Sequence, residues 1–195
     1  SITPSASGSA TPETLPLGIE KVEEAKKNGK PVHVVIFQDF NCHHCRDFEQ
    51  ANYETIKKLV EDGSITVEYR NMIILDRGSP TQYSARTANA AYAVANQVSA
   101  DKYLEFQKEL FDRQGGGDLN NQQIADIAAK YGANISSDLN DNKWRPLVNV
   151  VNEESLKNGV HGTPAIYADG EQFPGPKSED FPKWVQGKID AKKQQ

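Results

Sequence analysis

The 195-residue chain has only two cysteines, and they stand two residues apart in Cys42-His43-His44-Cys45. A disulfide closing so short a loop removes little entropy from the unfolded chain, at most ~2 kcal/mol by the loop-closure relation. A structural staple gains least at this spacing, so reversible thiol chemistry explains the pair better. The reactive form of cysteine is the thiolate, which the unpaired N–H groups and positive dipole end of a helix start stabilise. Cys42 directly follows an apolar segment, and Cys45 lies one helical turn further on, within reach for a disulfide. Cys42 is therefore the expected nucleophile and Cys45 the resolving thiol. Whatever stabilises the Cys42 thiolate stabilises the reduced form and makes the disulfide more oxidising. His44 is expected to help by donating to the sulfur or acting as a nearby cation, and His43 to do the same or point into solvent.

These side chains need a strand and a helix to place them. Residues 31–40, PVHVVIFQDF, are rich in β-branched and aromatic types and nearly continuously apolar, which predicts a central strand buried on both faces. Phe48, Ala51, Ile56, Leu59 and Val60 then trace a helical face that Asp62-Gly63 ends, and residues 65–75 read as a second strand. Upstream, Ile19, Val22 and Ala25 predict a short amphipathic helix over 18–28. From residue 79 to 159 the pattern stays helical. Tyr83, Ala90, Ala91, Val94 and Val98 mark one face, Tyr103, Leu104, Gln107, Leu110 and Phe111 the next, and Ile124, Ile127, Ala128 and Tyr131 a third beyond Gly115-Gly116-Gly117. Shorter helices are expected around 137–142 and 146–157. Asp169-Gly170 between residues 165–168 and 171–173 is a type I′ hairpin signal, and 181–189 reads as a closing helix.

Phe40-Asn41-Cys42-His43-His44-Cys45 after an apolar strand resembles the active site of the DsbA-like thiol-disulfide oxidoreductases. Gly159-Val160-His161-Gly162-Thr163-Pro164-Ala165, followed by a strand and a glycine turn, is similar to the loop that in this family carries a cis-proline facing the cysteines. The resemblance spans about residues 30–184 and implies an α/β thioredoxin fold with an inserted all-helical domain. The expected division is a thioredoxin-like domain from 15–78 and 160–195, a helical insertion at 79–159, and a tail or linker at 1–14. It further implies that Pro164 is cis, so that the Thr163 backbone faces an incoming extended peptide. Cofactors are not expected beyond the redox-active Cys42–Cys45 disulfide, nor is a metal.

The sequence departs from the family pattern at His43, where well-known members carry proline. On the strand, several relatives place a carboxylate beneath the buried cysteine, whereas this chain has Ile36 there and Asp39 nearer the motif. Asp39 is read as a capping or surface acid rather than a catalytic one. His161, three residues before Pro164, is a candidate for tuning the site. His33 reads as a strand histidine without function, and Trp144 and Trp184 as core fillers.

A net charge of −5 and a pI near 5.4 supply no basic field for a phosphate backbone, so nucleic acid is not an expected partner. No run approaches the ~20 apolar residues of a membrane-spanning helix. Residues 1–14 have neither the basic start nor the apolar stretch of a signal peptide, as in a trimmed product. Their Ser, Thr, Pro, Ala and Gly content fits a spacer from a membrane anchor or a frayed terminus, and the two readings stay open. The expectation is a monomeric oxidoreductase outside the cytoplasm, in periplasm or cell envelope or secreted, acting on reduced or unfolded exported proteins and reoxidised by a membrane partner. Two rivals remain: a reductase or isomerase on the same fold, and a metal-binding protein using Cys42, Cys45, one of His43 or His44, and His161.

Overall fold

The computed structural model describes residues 31–194, so the expected tail at 1–14 and helix at 18–28 lie outside the described residues. The β-branched run forms β1 (Val32–Gln38), and α1 (His43–Glu61) starts after four intervening residues. Then follow β2 (Ile65–Asn71) and the helices α2 (Tyr83–Ala95), α3 (Ala100–Asp112), α4 (Asn121–Lys130), α5 (Ser136–Asp141) and α6 (Arg145–Lys157). The chain closes with β3 (Ala165–Ala168), β4 (Glu171–Gln172) and α7 (Phe181–Lys193).

The sheet order is β2-β1-β3-β4, with β1 parallel to β2 and antiparallel to β3. β1 is thus internal, with Ile36 opposite Tyr69 on one side and Ile166 on the other. Val32, Val34 and Ile36 are fully buried in the main core, which also takes in Phe48, Ile56 and Val60 of α1 and Val185 and Ile189 of α7. The opposite face is covered less completely than expected. His33 is exposed and Val35 half-buried, while Phe37 packs in a smaller cluster with Met72, Val160 and Ala165. His33 is nevertheless satisfied, with ring nitrogens 2.7 Å from the Thr66 hydroxyl and 3.2 Å from a Glu68 carboxylate oxygen.

The expected second strand runs too long. Pairing ends at Asn71, and Ile74–Gly78 is a 3-10 turn. Apolar Ile73, Ile74 and Leu75 look strand-like, but the Asp76 carboxylate accepts the N–H groups of Ser84 and Ala85 and so draws this segment onto the start of α2. At the hairpin, Asp169 and Gly170 have φ of 47° and 82°, the pair of positive values that a type I′ turn requires. Trp144 is fully buried, and Trp184 is partly buried against the core beside Phe173 and Phe181.

Candidate active site

Cys42 is the N-cap of α1, in an extended conformation with φ −89° and ψ 122° and no side-chain cap hydrogen bond. Cys45, one turn into the helix, points back at it, and both cysteines are free thiols with little exposure. The hydrogen bond from the Cys45 thiol draws the Cys42 pKa down to about 5, against the opposing effect of burial, with help from the Thr163 side chain and the main-chain N–H groups of Cys45 and His44. Cys45 goes the other way: burial, and then the neighbouring Cys42, hold its proton on well beyond the usual thiol range. The Thr163–Pro164 peptide is cis, and the Cys42 thiol lies 3.7 Å from the Thr163 carbonyl oxygen that it faces. The two motifs, 121 positions apart in sequence, meet at this sulfur.

The loop between β1 and α1 is held by buried groups. Asp39 is fully buried rather than at the surface, which corrects half of the sequence reading. Its Oδ1 accepts the Asn41 N–H at 2.9 Å and the Ser84 hydroxyl at 2.6 Å, while Oδ2 accepts the Leu75 N–H at 3.2 Å. Asp39 is not the helix cap, which is Cys42; its Asn41 bond instead closes the turn into the motif, and its main-chain oxygen also accepts the Cys42 N–H at 3.0 Å. Burial pushes its carboxyl above the ordinary aspartate range, opposed by these donors. Phe40 packs its ring on Phe111 of α3, centroids 4.8 Å apart.

His43 and His44 are both exposed and lie against each other, with ring centroids 4.0 Å apart. The His44 main-chain N–H makes a smaller contribution to the Cys42 thiolate than the Cys45 thiol and Thr163 do. His161 is exposed. Among the described residues, no group of three or more His, Cys, Asp or Glu side chains is arranged to hold a metal ion, so the proposed Cys/His ligand set is not brought together.

Residues 27–187 match the family described as Thioredoxin. The chain belongs to the thioredoxin family. Among solved structures of this fold, it is similar to reduced DsbA from Mycobacterium tuberculosis, with 27% identity and a TM-score of 0.71 over 82% of this chain and 81% of that one. DsbG from the same organism, described as a disulfide bond oxidoreductase, shares 26% identity at a TM-score of 0.69, covering 82% of this chain and 77% of the other. MdbA from Corynebacterium matruchotii, a thiol-disulfide oxidoreductase, shares 26% identity at a TM-score of 0.70, covering 79% and 81%. No curated protein sequence matches the chain. The fold is the DsbA-type thioredoxin fold with a helical insertion.

This thioredoxin-family site rests on polar groups that sequence patterns had passed over. Glu49, one turn beyond Cys45 on the buried face of α1, accepts a hydrogen bond from Gln107 of α3 at 2.7 Å. The Gln107 oxygen in turn receives Gln38 of β1 at 2.9 Å and the Tyr103 hydroxyl at 3.0 Å, and Gln38 also donates to Asn71 at 3.0 Å. Burial raises the Glu49 carboxyl to about 7, with the Gln107 bond pulling the other way. The available signal was Gln38 at an inward position of an apolar strand, since a buried amide demands partners. Gln107 falls on an apolar helix face, and Ser84 carries no local mark at all.

Proposed function

We propose that the protein is a thiol-disulfide oxidoreductase that introduces disulfides into exported proteins through Cys42 and Cys45. The observation that carries this reading is the opposed acidity of the two thiols, one drawn down to about 5 and the other pushed up by burial. A substrate thiolate attacks Cys42 of the Cys42–Cys45 disulfide. The Cys42–Cys45 bond breaks, a mixed disulfide forms, and Cys45 leaves and takes a proton. A second substrate thiolate then attacks the substrate's own sulfur in that mixed disulfide and expels Cys42 as its stabilised thiolate. Two electrons have passed from the substrate dithiol to the pair, and a disulfide-bearing membrane partner takes them up to close the cycle. Thr163 and Pro164 line the approach of the extended substrate segment, whose chain meets the Thr163 carbonyl edge.

A low Cys42 pKa favours the oxidant over the reductase or isomerase, because it stabilises the reduced product. The reading places the protein outside the cytoplasm, where disulfides persist. Among the described residues no helix is long and apolar enough to cross a membrane. Equilibration with glutathione buffers tests the proposal directly. The pair is expected to be an oxidant toward glutathione and to oxidise a reduced, unfolded protein substrate; a potential near the roughly −270 mV typical of thioredoxin would make it a reductase instead.

A further inference from the structure

The helical insertion reaches into the catalytic loop at one polar point. Gln114 follows the C-terminal end of α3, next to Gly115, and its side-chain amide donates to two main-chain oxygens, that of Phe40 at 2.8 Å and that of Cys42 at 3.1 Å. Both acceptors flank Asn41 in the short loop between β1 and α1. The Cys42 oxygen is also the first acceptor of α1, taking the Arg46 N–H at 3.1 Å. Phe40 also packs its ring on Phe111 of the same helix α3. The loop is therefore fastened to α3 by an apolar contact and by a two-pronged amide.

We propose that Gln114 is a positioning residue for thiol-disulfide exchange, holding Cys42 at the helix start with the α1 N–H groups aimed at its sulfur. The proposal rests on Cys42 and Cys45 being the exchange couple. Two physical effects act together. Cys42 has no oxygen cap to fix its conformation, so an external clamp on its carbonyl restricts the rotation that would swing the sulfur off the His44 and Cys45 N–H groups. The same donors also neutralise the negative ends of two carbonyl dipoles that lie close to a developing thiolate. A neutral amide suits this place, because it offers two hydrogens to two oxygens and adds no charge of its own.

The test uses the full chain and two variants, Q114M, which keeps length and packing but donates nothing, and Q114E, which sets a carboxyl against the same two oxygens. The readouts are the Cys42 thiolate titration and the gap in Tm between reduced and oxidised protein. Q114M is expected to raise the Cys42 midpoint by about half a pH unit, a roughly threefold loss of thiolate on the rising limb, and to narrow the Tm gap, with Q114E moving both further in the same direction. If both variants leave the midpoint unchanged and lower Tm equally in the two redox states, Gln114 only joins the insertion to the loop and the proposal is overturned. A parent protein whose Cys42 titrates as an ordinary thiol would overturn the exchange reading itself, a result that needs no variant and so is distinct.

Discussion

The Cys42 sulfur and the Thr163 main-chain oxygen face each other across 3.7 Å, so that the thiol at the start of α1 is directly bordered by the loop before β3. The Cys45 hydrogen bond, helped by Thr163 and the α1 main chain, makes Cys42 the acidic thiol, while burial keeps Cys45 protonated.

The two cysteines should therefore differ sharply in reactivity. Alkylation of the reduced protein is expected to modify Cys42 alone, with a rate that rises through a midpoint near pH 5. Cys42→Ala should abolish exchange, while Cys45→Ala should accumulate mixed disulfides with substrate, visible on non-reducing gels. Preferential labelling of Cys45 would contradict this assignment.

The reduction potential should change slope with pH. Below pH 5 reduction takes up two protons and the potential is expected to fall by about 60 mV per pH unit; above it Cys42 stays ionised, Cys45 alone takes a proton, and the slope should halve to about 30 mV. The same shift acts on stability. A thiol with a depressed pKa stabilises the reduced fold fully above its unfolded value near 9 and loses that contribution as pH falls through 5. Paired melting curves of reduced and oxidised protein between pH 4 and 9 would show the gap widening with pH.

Glu49 should impose the opposite trend in both redox states. Its folded pKa near 7 lies above its ordinary value of 4.5, so the fold favours the protonated acid, and stability should fall as pH rises from about 4.5 to 7. Glu49→Gln keeps an acceptor for Gln107 and is expected to stabilise the protein at neutral pH, by at most on the order of 3 kcal/mol, with no gain below pH 4. Urea unfolding of the variant at the two pH values checks this.

Asp39 holds three donors in a buried loop, and Asp39→Ala would leave the Ser84 hydroxyl and the Asn41 and Leu75 N–H groups without it. A loss of about 2–4 kcal/mol is expected from such orphaned donors. Asp39→Asn retains acceptor capacity and should cost less, as denaturant midpoints would report.

The cysteine pair, the strand before it and the proline loop were legible because their chemistry is written in a few contiguous residues. Helix faces in the insertion were legible for the same reason, through apolar spacing. Asp39 was only half legible: its cap on Asn41 is local, but its burial depends on Ser84, 45 positions later. Glu49 and Gln107 look like ordinary polar residues on amphipathic helices, and only the packing of α1 on α3 brings them together. The exposure of the His43 and His44 rings carried no mark in the sequence, since it depends on how the start of α1 meets the rest of the fold.

Because β3 joins β1 only after the whole helical block has been made, a nascent chain exposes its cysteines long before it owns a finished site. Until then the thiol lacks the Thr163 wall, and β1 lacks the partner that β3 supplies on that edge. The surroundings of Cys42 are thus completed last. Its maturation depends on capture of the C-terminal strand, so a shortened chain ending before residue 159 should react with small thiol reagents while failing to display the mature acidity.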